Sequence, residues 1–499
     1  MIAATVLGSG MAQLDSTVVG IALPTIGRQF HTGISALQWV VTAYALALAG
    51  LLLLGGALGD RLGRQRVFVV GTIWFAVASL GCGVAPSATV LIVARGLQGV
   101  GAALLTPGSL AILQASFSTD DRSKAIGAWS GLGGVAAAIG PFLGGWLISA
   151  VSWRLIFFIN LPIAVAVVAI TARHVPESRD PERTGRLDYG GAALVTCGLV
   201  GVVYGLIEGP GLGWQSPVIL VALFGGVAAL GLFGMHESRR AHPLMPLGMF
   251  RSLQFSSANA VTFAVYAGLG AALFLLPVEL QQVSGYSPLG AGAALLPVTA
   301  IMLVLSARSG GLAARIGPRL QMSLGPLIAG AGLALLARVG VHGGYVSEVL
   351  PAVTVLGLGL AVTVAPLTST VLAAAPPEHA GVASAINNDV ARSASLVAVA
   401  FLPAVTGITG DSYLHPARFS HSFHNSVLLA GAICAAGGVL AVFTTRNPRR
   451  PAFVATPASA TDAVRQYSHC ALDATPLRGG APPTMWPGTA PRDGPPIPR

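Results

Sequence analysis

The stretch GALGDRLGRQR, residues 56–66, sets one aspartate and three arginines among three spaced glycines. It follows a run from Ala36 to Leu58 that holds no ionised group. About 20 apolar residues are what a helix needs to cross a hydrocarbon core of roughly 30 Å. The charged knot therefore reads as a tight loop at the mouth of a membrane-crossing helix. Its glycines give so short a turn its backbone freedom, and its arginines hold it at the headgroups.

Working outward, apolar runs recur at about 2–26, 36–58, 67–85, 88–113, 125–148, 154–172, 188–208, 217–235, 253–280, 288–308, 320–338, 347–370, 382–406 and 425–445. These are fourteen spans. In lipid each backbone N–H and C=O must be satisfied internally, so such runs are helices. The composition agrees: of 499 residues 54% are apolar and 9% charged, against about 25% charged in soluble domains. The start, MIAATVLGSG, lacks the basic region of a cleavable signal, so the first helix is expected to stay.

The formal charge of +10 does not point to nucleic acid, because the basic residues sit in short loops rather than on one folded face. Arg61, Arg64, Arg66, Arg122, Lys124, Arg173, Arg179, Arg183, Arg186, Arg239, Arg240, Arg251, Arg308, Arg315 and Arg319 fall in one alternating set of loops. Arg28, Arg154, Arg338 and Arg418 fall in the other. The positive-inside rule puts the first set, and both termini, in the cytoplasm. The single lysine, Lys124, is preceded by serine, so no Walker A phosphate loop is present. Cys82, Cys197, Cys434 and Cys470 form no CxxC pair. No metal or cofactor is expected. His415, His421 and His424 are spaced too loosely in a loop to fix a metal geometry.

An echo divides the chain. GGLAARIGPR, residues 310–319, follows the tenth span as GALGDRLGRQ, residues 56–65, follows the second. Duplicated halves with a site between them explain such a repeat. The expected organisation is an all-α polytopic protein of two six-helix bundles, 1–172 and 253–445. A linker with two extra spans (173–252) separates them, and a disordered tail follows (446–499).

The knot resembles the signature loop of the major facilitator superfamily, Gly-x-Leu-x-Asp-Arg-x-Gly-Arg-x-Arg, with Gly56, Asp60, Arg61, Gly63 and Arg64 in place. LDSTVVGIALPTI (14–26) resembles the first-helix motif of the fourteen-helix drug:proton antiporters, and ARGLQGVGAAL (94–104) the superfamily's fourth-helix motif. GGVAAAIGPFLGGWL (133–147) is similar to the fifth-helix motif of exporters, and SWRLIFFINLP (152–162) and WVVTAY (39–44) agree. The resemblance implies a conformational latch at 56–66. It implies a tight contact at Gly140, Pro141, Gly144 and Gly145 that limits leak, and proton-coupled export of amphipathic drugs.

The residues carry part of this on their own. Asp15 lies mid-span in the first helix and Arg95 within the fourth. A charge there costs at least about 2.5–3.5 kcal/mol and needs a partner. The expectation is an Asp15–Arg95 pair with Gln98 one turn along on the same face. It would act either in proton coupling or as a fixed salt bridge. Gly133 and Gly134 extend the glycine stripe of the fifth span, and such stripes let helices approach closely. In the thirteenth span Asp389 and Arg392 sit at i,i+3, as a local pair or a second proton or cation site. Glu279, where an aromatic is commoner in the family, is expected at the outer interface in contact with water. Trp39 and Tyr44, with Phe263, Tyr266 and Phe274, are candidate cavity residues.

The leading function is proton-coupled secondary export of a small amphipathic molecule by a monomer in the cell membrane. A dedicated exporter of one endogenous metabolite or lipid-like compound is the second reading, and a non-transporting sensor the third. The embedded charges speak against the sensor. A membrane enzyme would want converging nucleophiles within the spans, and none is found.

Overall fold

The computed structural model describes residues 1–117, 119–179, 187–240, 243–341, 344–376 and 380–447. The tail from Pro448 and the connector at 180–186 lie outside the described residues. Nearly everything described is helical, with no strand among the described residues. Fourteen segments are long and apolar enough to cross a membrane.

Spans one to five are α1 (Ile2–Phe30), α2 (Ile34–Leu62), α3 (Arg64–Gly83), α4 (Ala88–Ser116) and α5 (Thr119–Ala150). The sixth is broken at Ile159 into α6 (Leu155–Phe158) and α7 (Asn160–His174). The extra pair is α8 (Tyr189–Leu212) and α9 (Pro217–Arg239). Span nine is α10 (Leu253–Gln282), and the tenth is broken at Leu295 into α11 (Pro288–Ala294) and α12 (Leu296–Ile316). Then come α13 (Arg319–Leu335), α14 (Leu350–Ala373), α15 (Ala380–Thr406) and α16 (Pro416–Thr444). Several helices outrun the apolar runs that announce them. Both α1 and α2 have 29 residues, about 44 Å at 1.5 Å per residue, so their ends project into the headgroup layers.

An even number of spans brings the start of α1 and the end of α16 to one face, the base; the opposite face is the crown. Helices α1–α7 pack as one bundle and α10–α16 as another. The pair α8–α9 packs on itself, with α8 lying against both α2 and α15. Phe224 and Phe443 are exposed, a placement that lipid tolerates and water would not.

The repeated loop is repeated in structure as well as in sequence. Gly63 (φ 115°) ends α2 and Gly317 (φ 87°) ends α12, a backbone region that glycine enters without penalty. In each bundle a polar side chain from just past the last span then caps the next helix. Glu177 accepts from the N–H groups of Gln65 (3.1 Å) and Arg66 (3.3 Å) at the start of α3. The Asn447 Oδ1 accepts from the Arg319 N–H at the start of α13 (3.1 Å). Two halves using one device at equivalent places is what duplication leaves behind.

The bundles meet at the crown. The Ile34 N–H donates to the Gly410 carbonyl (2.8 Å), Gln38 to the Val399 carbonyl (2.7 Å) and Gln281 to the Ile21 carbonyl (2.9 Å). The Tyr413 hydroxyl donates to the Thr32 carbonyl (2.6 Å) and the Leu289 N–H to the Ser149 hydroxyl (3.3 Å). The conformation is closed at the crown.

Candidate functional site

Helix periodicity puts Arg95 and Gln98 on one face of α4, turned toward Asp15 at the middle of α1. Asp15 is 0% and Arg95 1% exposed, and Arg95 Nη1 lies 2.5 Å from Asp15 Oδ2. The same Nη1 donates to Gln98 Oε1 (2.6 Å), while Gln98 Nε2 donates to Asp15 Oδ1 (2.9 Å). Burying a charge pair this deeply succeeds only when the remaining donors and acceptors are also met. The Arg95 Nε donates to the Val40 carbonyl (3.1 Å), and its guanidinium lies over the Tyr44 ring at 4.3 Å. That ring is fixed in turn by its hydroxyl, which donates to the Ala12 carbonyl (3.2 Å).

Two members of this network were not singled out in the sequence. The Asn160 Nδ2 donates to Asp15 Oδ1 (3.0 Å) and to the Ser79 hydroxyl (2.9 Å). Ser79 also accepts from Gln98 (3.1 Å) and donates to the Phe157 carbonyl (3.0 Å). Asn160 occupies the first turn of α7, directly after the break in the sixth span. A lone asparagine inside an apolar run is itself a signal, since such a group needs a partner on another helix.

The second bundle presents a different arrangement. Asp389 and Arg392 share α15 but make no ion pair, and Asp389 Oδ1 is buried with no hydrogen-bond partner. The two are close enough for the Arg392 charge to act on Asp389, but they form no direct hydrogen-bonded ion pair. Arg392 lies near enough to Tyr44 on α2 and Tyr266 on α10 for its charge to act on both. Its charge thus reaches across to the first bundle, to the Tyr44 ring over which Arg95 is stacked. A turn toward the base, Asn387 Nδ2 donates to Asn259 Oδ1 (3.1 Å) and the Thr262 hydroxyl (2.7 Å).

The fifth-span glycines divide their work. A Cβ on Gly144 would meet Val18 Cγ1 at 3.3 Å, and one on Gly140 would run into the Thr17 hydroxyl, so these two seat α5 on α1. A Cβ on Gly145 would stand 2.8 Å from Leu289 Cα, and one on Gly292 would strike the Pro141 carbonyl, so α5 and α11 touch across the bundles. Gly133 and Gly134 meet nothing within 4 Å and take no part in this contact. In the knot, Arg64 Nη2 lies 2.8 Å from Asp60 Oδ1 across the Gly63 break, and Arg61 is exposed.

Other placements differ from expectation. Trp39 does not face the seam: its indole N–H donates to Glu208 Oε1 (2.8 Å) and its ring packs by Tyr204, so it seats the extra pair on α2. Glu279 is not at a solvated interface. It is 0% exposed because α10 runs on past it to Gln282, and its Oε1 accepts from Ser420 (2.8 Å). The three crown histidines do not converge: His424 bonds the Val339 carbonyl, His415 approaches Asp411, and His421 is exposed.

The sequence profile of the Major Facilitator Superfamily matches residues 5–400. The multidrug resistance protein Stp of Mycobacterium tuberculosis is 35% identical over 416 residues, 83% of this chain and 76% of that protein. The tetracenomycin C resistance and export protein of Streptomyces glaucescens is 36% identical over 81% of this chain and 74% of its own. The methylenomycin A resistance protein of Streptomyces coelicolor is 34% identical over 90% and 93%. Among solved structures, a peptide transporter POT in complex with sulfate shares the fold at a TM-score of 0.60 and 15% identity, over 87% of this chain and 94% of that one.

Proposed function

The chain belongs to the major facilitator superfamily, and from that premise we propose that it is a proton-coupled secondary exporter of amphipathic drugs or antibiotics. It is then a fourteen-helix antiporter, a carrier rather than an enzyme, working as a monomer. The base, rich in arginine, faces the cytoplasm together with both termini. The units are the bundles 1–172 and 253–445 with the linker pair 173–252 between them. The resistance and export proteins to which the chain is similar support the substrate class.

One observation carries the coupling: a buried Asp15–Arg95 pair in the first bundle has as its counterpart in the second Asp389, one of whose buried oxygens has no hydrogen-bond partner, within reach of the Arg392 charge. A proton on Asp15 would strip Arg95 of its counter-charge inside a dry bundle. The network must then either rearrange or pass the proton on. Asp389, with a free oxygen and Arg392 nearby, offers a second place for a proton or a cationic substrate at the seam. The Asp60–Arg64 loop acts as the latch at the base. The α5–α11 contact at Gly145 and Gly292 seals the crown while substrate enters from the cytoplasm.

The test is collapse of a pH gradient in inverted vesicles on adding lipophilic cations and neutral antibiotics. Wild type releases protons when it meets a substrate, and D15N does not. Full proton-coupled efflux by D15N removes Asp15 from the mechanism. D389N that loses only cationic compounds assigns Asp389 to the substrate, whereas loss of every compound assigns it to the proton.

A further inference from the structure

At the base end of the extra pair lies a groove of about 460 Å³, lined by Leu194 on α8 and Leu232, Met235, His236, Arg239 and Arg240 on or just past α9. Its floor is apolar. Leu232 and Met235 are each 50% exposed on a helix that faces lipid. Its rim is cationic. Arg239 and Arg240 lie at the last turn of α9, at the depth where headgroups begin.

The rim is held from beneath. Asp188, 3% exposed, caps α8 through the Gly191 N–H (2.9 Å). It also bonds His236 Nε2 (2.9 Å) and lies 3.4 Å from Arg240 Nη2. Glu237, 2% exposed, accepts from the Met245 N–H (2.9 Å). The donor atoms of Asp188, His236 and Glu237 come within 4.8 Å of one another. A guanidinium on the same Asp188 oxygen spends that charge internally, so the cluster reads as a foundation for Arg240 rather than a cation site.

We propose that this groove binds one anionic phospholipid of the leaflet at the base. Its phosphate would lie against Arg239, with Arg240, held by Asp188, offering its outer N–H groups beside it, and an acyl chain would lie over Leu232 and Met235. The argument is one of complementarity. A guanidinium matches phosphate in bidentate geometry. The apolar floor continues into the bilayer, which a free phosphate would leave uncovered and a zwitterionic lipid would fill without using the rim's charge. Glu177, Asp60 and the seam residues play no part in it, so the site is separate from the transport machinery.

The test is native mass spectrometry of the full-length protein in detergent, offered phosphatidylglycerol and phosphatidylcholine at equal concentration. Wild type should retain phosphatidylglycerol preferentially. R239Q should weaken that retention about fivefold, since a basic residue near an anionic surface is worth about 1 kcal/mol. L232W, which fills the floor and leaves the charges, should weaken it too, while R251Q, basic at the same face but outside the groove, should not. Equal retention of both lipids by wild type, or an R239Q that matches wild type, overturns the proposal. An R251Q loss as large as that of R239Q would mean diffuse attraction, and full competition by glycerol phosphate would mean a plain anion site; either also overturns it.

Discussion

Replacing Asp15 by asparagine should destabilise the protein before any question of transport arises. The carboxylate accepts from Arg95, Gln98 and Asn160 at 2.5, 2.9 and 3.0 Å, and none of this network reaches solvent. The substitution leaves the Arg95 charge buried without a counter-ion, a defect of about 3–5 kcal/mol. It also turns an amide N–H₂ toward groups that are themselves donors, adding about 1–3 kcal/mol for an unsatisfied group unless the amide rotates. Removing both charges should behave differently. D15L combined with R95M replaces the pair by apolar groups of similar bulk, a change that is often neutral or stabilising. The assay is unfolding in detergent followed by tryptophan fluorescence, on wild type, D15N, R95M and the double variant. Both single variants should fall well below wild type and the double should recover most of the loss, while all three variants remain silent in proton-coupled efflux. If D15N is as stable as wild type, Asp15 carries no charge in the resting protein and the ion-pair argument fails.

A bulkier residue at the crown contact should open it: G292L, which must displace the Pro141 carbonyl, should expose the crown side of the seam to a membrane-impermeant maleimide at an introduced cysteine, and unchanged labelling would refute the seal. E177A and N447A should each cost about 1 kcal/mol of stability through loss of a helix cap; a loss confined to one bundle would contradict their equivalence. At Asp188, burial alone would raise the carboxyl, but the Gly191 N–H and His236 together hold it below its usual value. Its contribution is therefore full above the unfolded value near 3.8 and lost as pH falls through the lower folded value. Thermal unfolding scanned from pH 6 to pH 3 should show an acid decline that D188N lacks, and parallel curves would refute it. W39F should loosen the seat of the extra pair, read as faster hydrogen exchange in α8, because Glu208 loses its indole donor.

Much of this was legible in the chain. Long apolar runs fix the spans because lipid leaves the backbone no alternative to helix. Asp15, Arg95 and Gln98 announce themselves because charge in such a run needs company. Asn160 and Ser79 were missed because uncharged polar residues inside a span carry a weaker signal, and their meeting depends on the break at Ile159, which no local rule demands. Glu279 was misplaced because sequence shows the polar residues beside it but not that α10 continues past them into the packed crown. Trp39 was misread for a related reason: its heptad neighbours do not reveal that a helix bearing Glu208, 169 residues on, will lie against it. The absent Asp389–Arg392 bond shows that i,i+3 spacing permits a contact without compelling it.

The five hydrogen bonds that close the crown also set an energy scale for the working cycle. At a net value of about 1 kcal/mol each, separating the bundles there requires roughly 5 kcal/mol. One proton falling through 100 mV releases about 2.3 kcal/mol, less than half of that sum. Proton flow alone therefore does not lever the crown apart in a single stroke. The base must gain contacts of nearly equal worth as the crown gives them up, so that the two closed ends stand close to isoenergetic. The proton and the drug then need only tilt a balance that the protein already holds.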